Sequence, residues 1–343
     1  MFKNMIVYRI APQWQCTLEQ MEEALQKAPF AECGATQDKS IGWVPPRGDA
    51  HGPLAESVDG QWILRLMSES KMLPASVLAR KVKEKAAQIE AQTGRKPGKK
   101  EQRELKDEAR LDLLPMAFTK QGSTWVWIDP VARWLVIDTG SQGRADEVVS
   151  LLVELLPPGF AVALLHTQTS AQAAMSHWLS TQESPAGFSL GRECELKASD
   201  EAKSVVRYAR HPLDIEEIQA HIAAGKLPTK LALSWDDRVH FVLTEGLQIK
   251  KVAFEDTVFE GTSQDDAGFD TDVAIATGEL GKLIPDLIEA LGGEADSGIL
   301  AAAPKAQQAT AAAPQRPVRV QGGAVVTGPA SVPVDTDPDS APF

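Results

Sequence analysis

Cationic side chains are concentrated in one stretch of the chain, and the chemistry open to them is phosphate binding. Between Lys71 and Arg110 the sequence has 12 Lys/Arg against 6 Asp/Glu, whereas the whole chain has a net charge of −12. Lys and Arg neutralise the phosphates of a nucleic acid without reading its bases. The pattern predicts a nucleic-acid-binding surface. The alternative is a solvated pair of helices with ion pairs such as Arg80 with Glu84.

Two helices and the turn between them must position these cations. Apolar residues at helical spacing predict one helix over residues 75–92 and a second over 99–114, which ends at Pro115. Residues 93–98 contain Gly and Pro and form the turn. We therefore expect a projecting basic helical hairpin over residues 71–115. Its candidate DNA contacts are Lys81, Lys83, Lys85, Arg95, Lys96, Lys99, Lys100 and Arg103.

A second, sparser set of basic residues lies further along the chain. Its candidate DNA contacts are Arg207, Arg210, His211, Lys226 and Lys230. The pattern alone is a weak indication of DNA contact. Three tryptophans could also stack on bases, but their spacing in strands favours core packing; they are Trp125, Trp127 and Trp134.

The sequence contains no pattern that predicts catalysis. It has no Gly-rich phosphate loop followed by Lys-Ser/Thr and no Gly-x-Ser-x-Gly motif, and its histidines and three cysteines lack metal-ligand spacing. The pairs Asp236/Asp237 and Asp265/Asp266 favour solvated turns, with an acid-dependent nuclease as the alternative. We therefore predict no catalytic residues, no metal, no cofactor and no enzymatic activity.

The remaining patterns mix strands and helices, which predicts an α+β fold. Residues 17–27 form a predicted helix with Thr17 as N-cap, Gly42 to Pro46 a turn, and residues 272–291 a helix interrupted near Pro285. No apolar run has the roughly 20 residues of a membrane helix, and the N-terminus lacks a signal peptide. We expect a cytoplasmic protein without membrane contact. After Gly298 the composition of Ala, Pro, Gln, Gly and Val predicts a disordered tail.

Separated motifs, in chain order across about residues 1–295, resemble those of the RdgC family of recombination-associated proteins. These motifs are Phe2-Lys3-Asn4 with Val7-Tyr8-Arg9, Gly42-Trp43-Val44-Pro45-Pro46, Leu105-Lys106-Asp107-Glu108, Leu113-Leu114-Pro115 with Ala117-Phe118, Trp127-Ile128-Asp129, Thr229-Lys230-Leu231-Ala232-Leu233 with Trp235, and Thr277-Gly278-Glu279-Leu280.

The resemblance implies an α+β fold of several lobes with antiparallel sheets and no known enzymatic activity. It implies a nucleoid-associated homodimer that forms a ring around double-stranded DNA, binds without sequence preference and restrains RecA-promoted strand exchange. The implied regions are 1–70 with 116–168 as a central α+β region, 71–115 as the hairpin, 169–296 as a C-terminal α+β region and 297–343 as the tail. Phe118 matches an aromatic position implied in dimerisation or ring closure, and core packing is its alternative role. Arg210 and His211 fall where the family carries a Lys-Gln pair implied in DNA contact.

The end of the tail resembles the C-terminal tip of bacterial single-stranded-DNA-binding proteins. A terminal aromatic ring can fill an apolar pocket while nearby carboxylates meet a basic rim. The predicted partner-binding residues are Asp335, Asp337, Asp339, Pro342 and Phe343. They would recruit replication or repair proteins; a tail without function is the alternative. The alternative for the whole chain is a single-stranded-DNA-binding protein, chromosomal or phage-encoded, built on an RdgC-like body.

Overall fold

The computed structural model describes residues 1–201, 203–259 and 268–295, and within them the strands form one antiparallel sheet. The strands are β1 (Asn4–Ile10), β2 (Lys39–Val44), β3 (Ala55–Val58), β4 (Gln61–Met72), β5 (Phe118–Asp129), β6 (Trp134–Asp138), β7 (Val162–Leu164), β8 (Phe188–Ala198), β9 (Val205–Ala209), β10 (Lys226–Trp235), β11 (Val239–Thr244) and β12 (Ile249–Phe254). The helices are α1 (Leu18–Leu25), α2 (Ala75–Thr93), α3 (Lys99–Leu113), α4 (Gln142–Leu155), α5 (Ala171–Thr181), α6 (Glu216–Ala223) and α7 (Phe269–Ala290), with 3-10 turns at Leu114–Met116 and Asp256–Phe259. An α+β fold is thus confirmed.

The strand order is β2-β4-β5-β6-β1-β12-β11-β10-β8-β9, with β3 also beside β4 and β7 beside β1. The first strand lies in the middle of the sheet, where β1 pairs with β12 through Asn4 and Lys250 and through Met5 and Ile249. The central and C-terminal regions expected from the sequence therefore share one continuous sheet. None of the described helices is long and apolar enough to cross a membrane.

Alternation along the strands divides the apolar side chains between two cores. In β1, Met5 and Val7 belong to the core under α5, α6 and α7, whereas Ile6, Tyr8 and Ile10 belong to the core under α1 and α4. The helices α1 and α4 pack on the half of the sheet that contains β2, β4, β5 and β6. On the other half, α5–α7 pack on one face of β8–β12, and we call the opposite face of these strands the C-terminal sheet face.

The helices α2 and α3 are inserted between two long strands that extend beyond the core. β4 and β5 pair from Trp62 with Ile128 to Met72 with Phe118, and the first six residues of β5 are all exposed. α2 has no buried residue, while α3 buries Leu105 and Ala109. We use "the hairpin" for α2, α3 and the turn between them. The hairpin thus continues the far end of the β4–β5 ribbon and is exposed to solvent.

Two predictions about local structure need correction. α7 continues through Pro285, because burial of Leu283 and Leu287 on either side stabilises the helix beyond the missing N–H. Gly42, Trp43 and Val44 lie in β2, and the turn begins only at Pro45. Glycine is needed there because a Cβ at Gly42 would lie 2.4 Å from the Cα of Phe30, whose segment bonds to Trp43.

Other predictions are confirmed or fall outside the described residues. Thr17 caps α1, accepting a hydrogen bond from the backbone N–H of Gln20 at 3.2 Å. The sequence reasoning missed α5, β8 and β9, because short amphipathic segments separated by polar loops carry weak periodic signals. The predicted disordered tail and its tip lie outside the described residues.

Candidate nucleic-acid interface

The hairpin carries a set of exposed cations without carboxylate partners. Within the described part of the chain, these side chains form no ion pair: Lys83, Lys96, Lys99, Arg103 and Lys106. Lys81 and Lys100 have only distant partners, with nitrogen–oxygen separations of 3.9 Å to Glu84 and Glu104 respectively. Loose surface pairs of this kind contribute little energy. All seven side chains are therefore available to a polyanion.

Two other hairpin cations have close carboxylate partners on α3, one reaching from α2 and one from the turn. Lys85 on α2 lies 2.7 Å from both Glu108 and Asp112 on α3, and these hydrogen bonds, that with Asp112 foremost, raise the pKa of Lys85. Arg95 in the turn donates two hydrogen bonds, of 2.7 and 2.6 Å, to Glu101. This pairing and the backbone N–H of Gly98 lower the pKa of Glu101 to about 2. Lys85 and Arg95, although predicted as DNA contacts, already have carboxylate partners.

Between α2 and α3 lies an apolar cleft of about 600 Å³ with a basic rim. Leu78, Val82 and Ala86 of α2 line it, and Lys83 and Lys106 border it. The apolar stripe that predicted α2 is thus only half-covered by α3. Such a stripe usually packs into a core, but within this chain only part of it is packed.

At the base of the hairpin an apolar patch faces solvent. Phe118 is 82% exposed and Met116 is 74% exposed, with Met72 and Leu111 also about half exposed. Core packing, the alternative role considered for Phe118, is therefore wrong for this chain by itself, because β5 begins on the exposed part of the ribbon. Clustered exposed apolar side chains mark interaction sites more often than scattered ones do.

The second predicted basic set does not form one cluster. Arg207 on β9 and Lys230 on β10 both contact Glu195 on β8, at 2.5 and 3.1 Å. Burial alone would raise the pKa of Glu195, but the hydroxyl of Thr229 and these two cations lower it to about 2. Glu195 therefore stays ionised and partly neutralises both cations. The group lies on the C-terminal sheet face.

The other three members of that set lie away from Glu195. Arg210 follows β9 with a φ of 56°, and its carbonyl accepts a hydrogen bond from Arg192 at 3.1 Å. The ring of His211 lies near that of Tyr208, tilted by 57° with ring centroids 5.9 Å apart. Lys226, at the start of β10, has its Nζ 3.0 Å from Nδ1 of His221. All are at the surface except the half-buried Lys226.

Two of the three tryptophans considered as base-stacking platforms belong to the interior, and the third is half-buried. Trp127 and Trp134 are 0% and 4% exposed, which confirms the preference for core packing. Trp125 is half-buried between the ring of Phe269 and the guanidinium of Arg65. Neither Trp127 nor Trp134 presents a free face to a base.

Among the described residues no group of three or more His, Cys, Asp or Glu is arranged to hold a metal ion. Asp236 and Asp237 form the turn between β10 and β11, with φ values of 51° and 49°. Asp tolerates this left-handed conformation better than most residues, so the turn itself accounts for the pair. Asp265 and Asp266 lie outside the described residues.

Taken together, the fold and the site define an α+β protein that presents a basic helical hairpin at the end of a long ribbon of an antiparallel sheet. The chain belongs to the RdgC family: the family model described as "RdgC: Putative exonuclease, RdgC" matches residues 1–294. Similar proteins named recombination-associated protein RdgC come from Dechloromonas aromatica and Herminiimonas arsenicoxydans, each 46% identical, and from Bordetella pertussis, 41% identical. Each match covers 85% of this chain and 98% of the relative. The family match ends before the tail.

Two features of the site escaped the sequence reasoning. One is the exposure of Met72, Leu111 and Met116, which follows from the length of the β4–β5 ribbon. The sequence alone does not show how far these two strands pair. Lys197 and Lys250 also lie on the C-terminal sheet face. A signal for Lys197 existed, since Glu193 to Lys197 alternates charged and apolar residues as a half-buried strand does.

Proposed function

We propose that this protein binds double-stranded DNA without sequence preference and restrains RecA-type recombination, without catalysing a reaction on the DNA. The observation that carries the proposal is the hairpin, where seven exposed or half-exposed cations have no close carboxylate partner among the residues that the structure describes. Such side chains contact backbone phosphates and release counterions. Its relatives are named recombination-associated proteins, which supports the proposal that this binding takes place during recombination.

We further propose that two copies form a ring through the patch around Phe118. An 82% exposed Phe beside Met116 is costly to leave in water, and burial against its own copy in a twofold interface would remove that cost. The hairpin of each copy would then face the enclosed DNA. Acidic residues elsewhere on the chain would disfavour DNA contact outside the ring.

The test of DNA binding is a salt titration with duplex and single-stranded oligonucleotides of equal length and several sequences. We expect tighter binding to duplex, little difference among sequences, and an affinity that falls steeply with salt. A strong preference for single strands would support the alternative, a single-stranded-DNA-binding protein on an RdgC-like body. The effect on recombination is tested by RecA strand exchange at increasing protein concentration, where we expect inhibition.

The tail supports a further part of the proposal. Asp335, Asp337 and Asp339 before Pro342-Phe343 resemble a tip that recruits replication or repair proteins. Removing the residues after Gly298 should abolish such recruitment and leave DNA binding in place. Recruitment by the truncated chain would contradict this assignment.

The description of the family model favours a second candidate, an exonuclease. The test is digestion of end-labelled duplex and single-stranded DNA with Mg²⁺ or Mn²⁺. We expect no cleavage above that of a mock purification. Metal-dependent cleavage that disappears in Asp236→Asn/Asp237→Asn would overturn the proposal of a non-catalytic protein.

A further inference from the structure

The C-terminal sheet face contains a polar cavity of about 340 Å³ that crosses four strands. It is lined by Lys197 of β8, Lys230 of β10, Thr244 of β11 and Lys250 of β12, together with Gln248. Strand pairing fixes this arrangement, since Lys230 lies opposite Thr244 on the neighbouring strand. Three lysine side chains from separate strands therefore line a single concave site.

The two carboxylates that line the cavity are both engaged. Glu195 accepts hydrogen bonds from Thr229, Lys230 and Arg207, as described above. Glu245 accepts a hydrogen bond of 2.9 Å from the side chain of Gln172 on α5. Neither of these carboxylates forms an ion pair with Lys197 or Lys250.

Lys197 and Lys250 are the cations of the cavity whose charge is not neutralised. Lys250 donates one hydrogen bond of 3.2 Å to the carbonyl of Gly140, and Lys197 is exposed. Neither forms an ion pair with any residue that the structure describes. An ammonium group has three donors, so Lys250 keeps two for a ligand. The cavity thus combines free positive charge with free donors.

We propose that this cavity lies against a DNA backbone and binds two of its phosphate groups, one at Lys197 and one at Lys250. The inference rests on the proposed DNA binding and adds a contact site, separate from the hairpin, that includes neither the Lys-Gln position at Arg210 and His211 nor the apolar patch. A phosphate meets the chemistry of the site because lysine binds it as a point charge and because a cavity of this volume admits the group with its water. The hydroxyl of Thr244 already bonds to Gln248, so the two lysines supply the contacts.

The experiment compares the full-length protein with Lys197→Gln/Lys250→Gln in duplex binding across salt concentrations. Each lost phosphate contact should lower the salt slope by about 0.9, so the double variant should lose about 2 and bind roughly tenfold more weakly at about 0.2 M salt. Each single variant should show about half of the change in slope. Lys197 is exposed, and Lys250 is half-buried with one hydrogen bond to the carbonyl of Gly140, so thermal unfolding of the double variant should stay close to that of the wild type.

The matched control is Lys282→Gln, which removes the same charge from α7 on the other side of the sheet. It should keep the slope of the wild type. If the wild type binds duplex and the double variant behaves like Lys282→Gln, the cavity proposal is overturned and DNA binding stands. If the wild type does not bind duplex at all, both proposals fail.

A second arm separates a backbone phosphate from a free one. Inorganic phosphate is titrated into wild type and double variant while lysine side-chain resonances are followed. Tight binding of inorganic phosphate by the wild type, with unchanged duplex affinity in the double variant, would assign the cavity to a small phosphate ligand and overturn the assignment to DNA. Weak binding, with the loss of duplex affinity described above, supports it.

Discussion

The hairpin and the C-terminal sheet face are both rich in cations, but they hold them differently. On the hairpin, Lys83, Lys99 and Arg103 extend from helices into solvent without ion pairs among the described residues. On the sheet face, carboxylates are interleaved with the cations, and Glu195 alone contacts both Arg207 and Lys230. The number of basic residues therefore overstates the unpaired positive charge of the sheet face. On the hairpin the number is a good guide to the unpaired positive charge.

The difference follows from the geometry of the two elements. A helix distributes its side chains around an axis, so α2 and α3 can use a few acids between them and still leave other faces fully basic. Neighbouring strands are less than 5 Å apart, so opposite charges on one face of a sheet come into contact and partly neutralise each other, as Glu195 does with Arg207 and Lys230. The hairpin should accordingly supply most of the salt-dependent affinity, and the sheet face should position the nucleic acid.

The largest effect on duplex binding is expected when the unpaired cations of the hairpin are removed. Lys83→Ala/Lys96→Ala/Lys99→Ala/Arg103→Ala should lower the salt slope by about 3 to 4 and weaken duplex binding by roughly two orders of magnitude near 0.2 M salt. Replacing the three lysines by arginine instead should preserve the slope, because the charge is kept. A quadruple alanine variant that binds like the wild type would place the main DNA contact elsewhere.

The second-largest effect is expected on self-association, when the apolar patch at the base of the hairpin is changed. Phe118→Ser should weaken self-association by about 100-fold or more, because burying each Phe contributes about 1.5–3 kcal/mol and a twofold interface contains two of them. Sedimentation equilibrium over a range of concentrations measures this directly. The exposed Val131→Ser is a suitable control, since Val131 is 88% exposed but lies at the turn between β5 and β6. Equal dimerisation of both variants with the wild type would exclude the patch as an interface.

A smaller effect is expected when the carboxylate of the sheet face is neutralised. Glu195→Gln should strengthen duplex binding a few-fold, because it frees Arg207 and Lys230 while keeping the hydrogen bond to Thr229. The corresponding change on the hairpin, Glu84→Gln, should matter less, since Glu84 has only distant partners. Fluorescence anisotropy at one fixed salt concentration compares the two. If Glu195→Gln binds duplex more weakly than the wild type does, the main role of Glu195 is to hold Arg207 and Lys230 in position.

The smallest effect is on stability at acid pH. The pKa of Glu195 is lowered to about 2 in the folded protein, against about 4.3 for an unperturbed glutamate. Its stabilising contribution is therefore complete above about pH 5 and is lost as the pH falls toward 2. Urea unfolding between pH 5 and 2.5 should show the wild type losing more free energy of unfolding than Glu195→Gln. If the wild type and Glu195→Gln lose the same free energy of unfolding over this pH range, the lowered pKa of Glu195 is contradicted.

Sequence reasoning found the local features and missed those that depend on strand pairing. The helical period of residues 75–92 and the Gly-Pro turn after it were sufficient to place the hairpin, because the signals lie within each element. The exposure of Phe118 was not predictable, because it depends on how far β4 and β5 extend beyond the core. In the same way, the partners of Lys230 and Arg207 depend on β8, a strand that short-range patterns did not reveal.

The position of β1 in the middle of the sheet has a consequence for how the chain is made. β1 leaves the ribosome before the other described strands, but one of its neighbours, β12, ends at Phe254, and Arg9 pairs with Glu294. These pairings close loops of almost the full length of the folded region, which is slow because the loop entropy is lost before the contacts form. During synthesis the Asn4 and Met5 end of one edge of β1 should stay unpaired until about 250 residues have emerged, whereas Tyr8 to Ile10 on that edge can pair with β7 earlier. Nascent chains halted before β12 should be the most prone to aggregate.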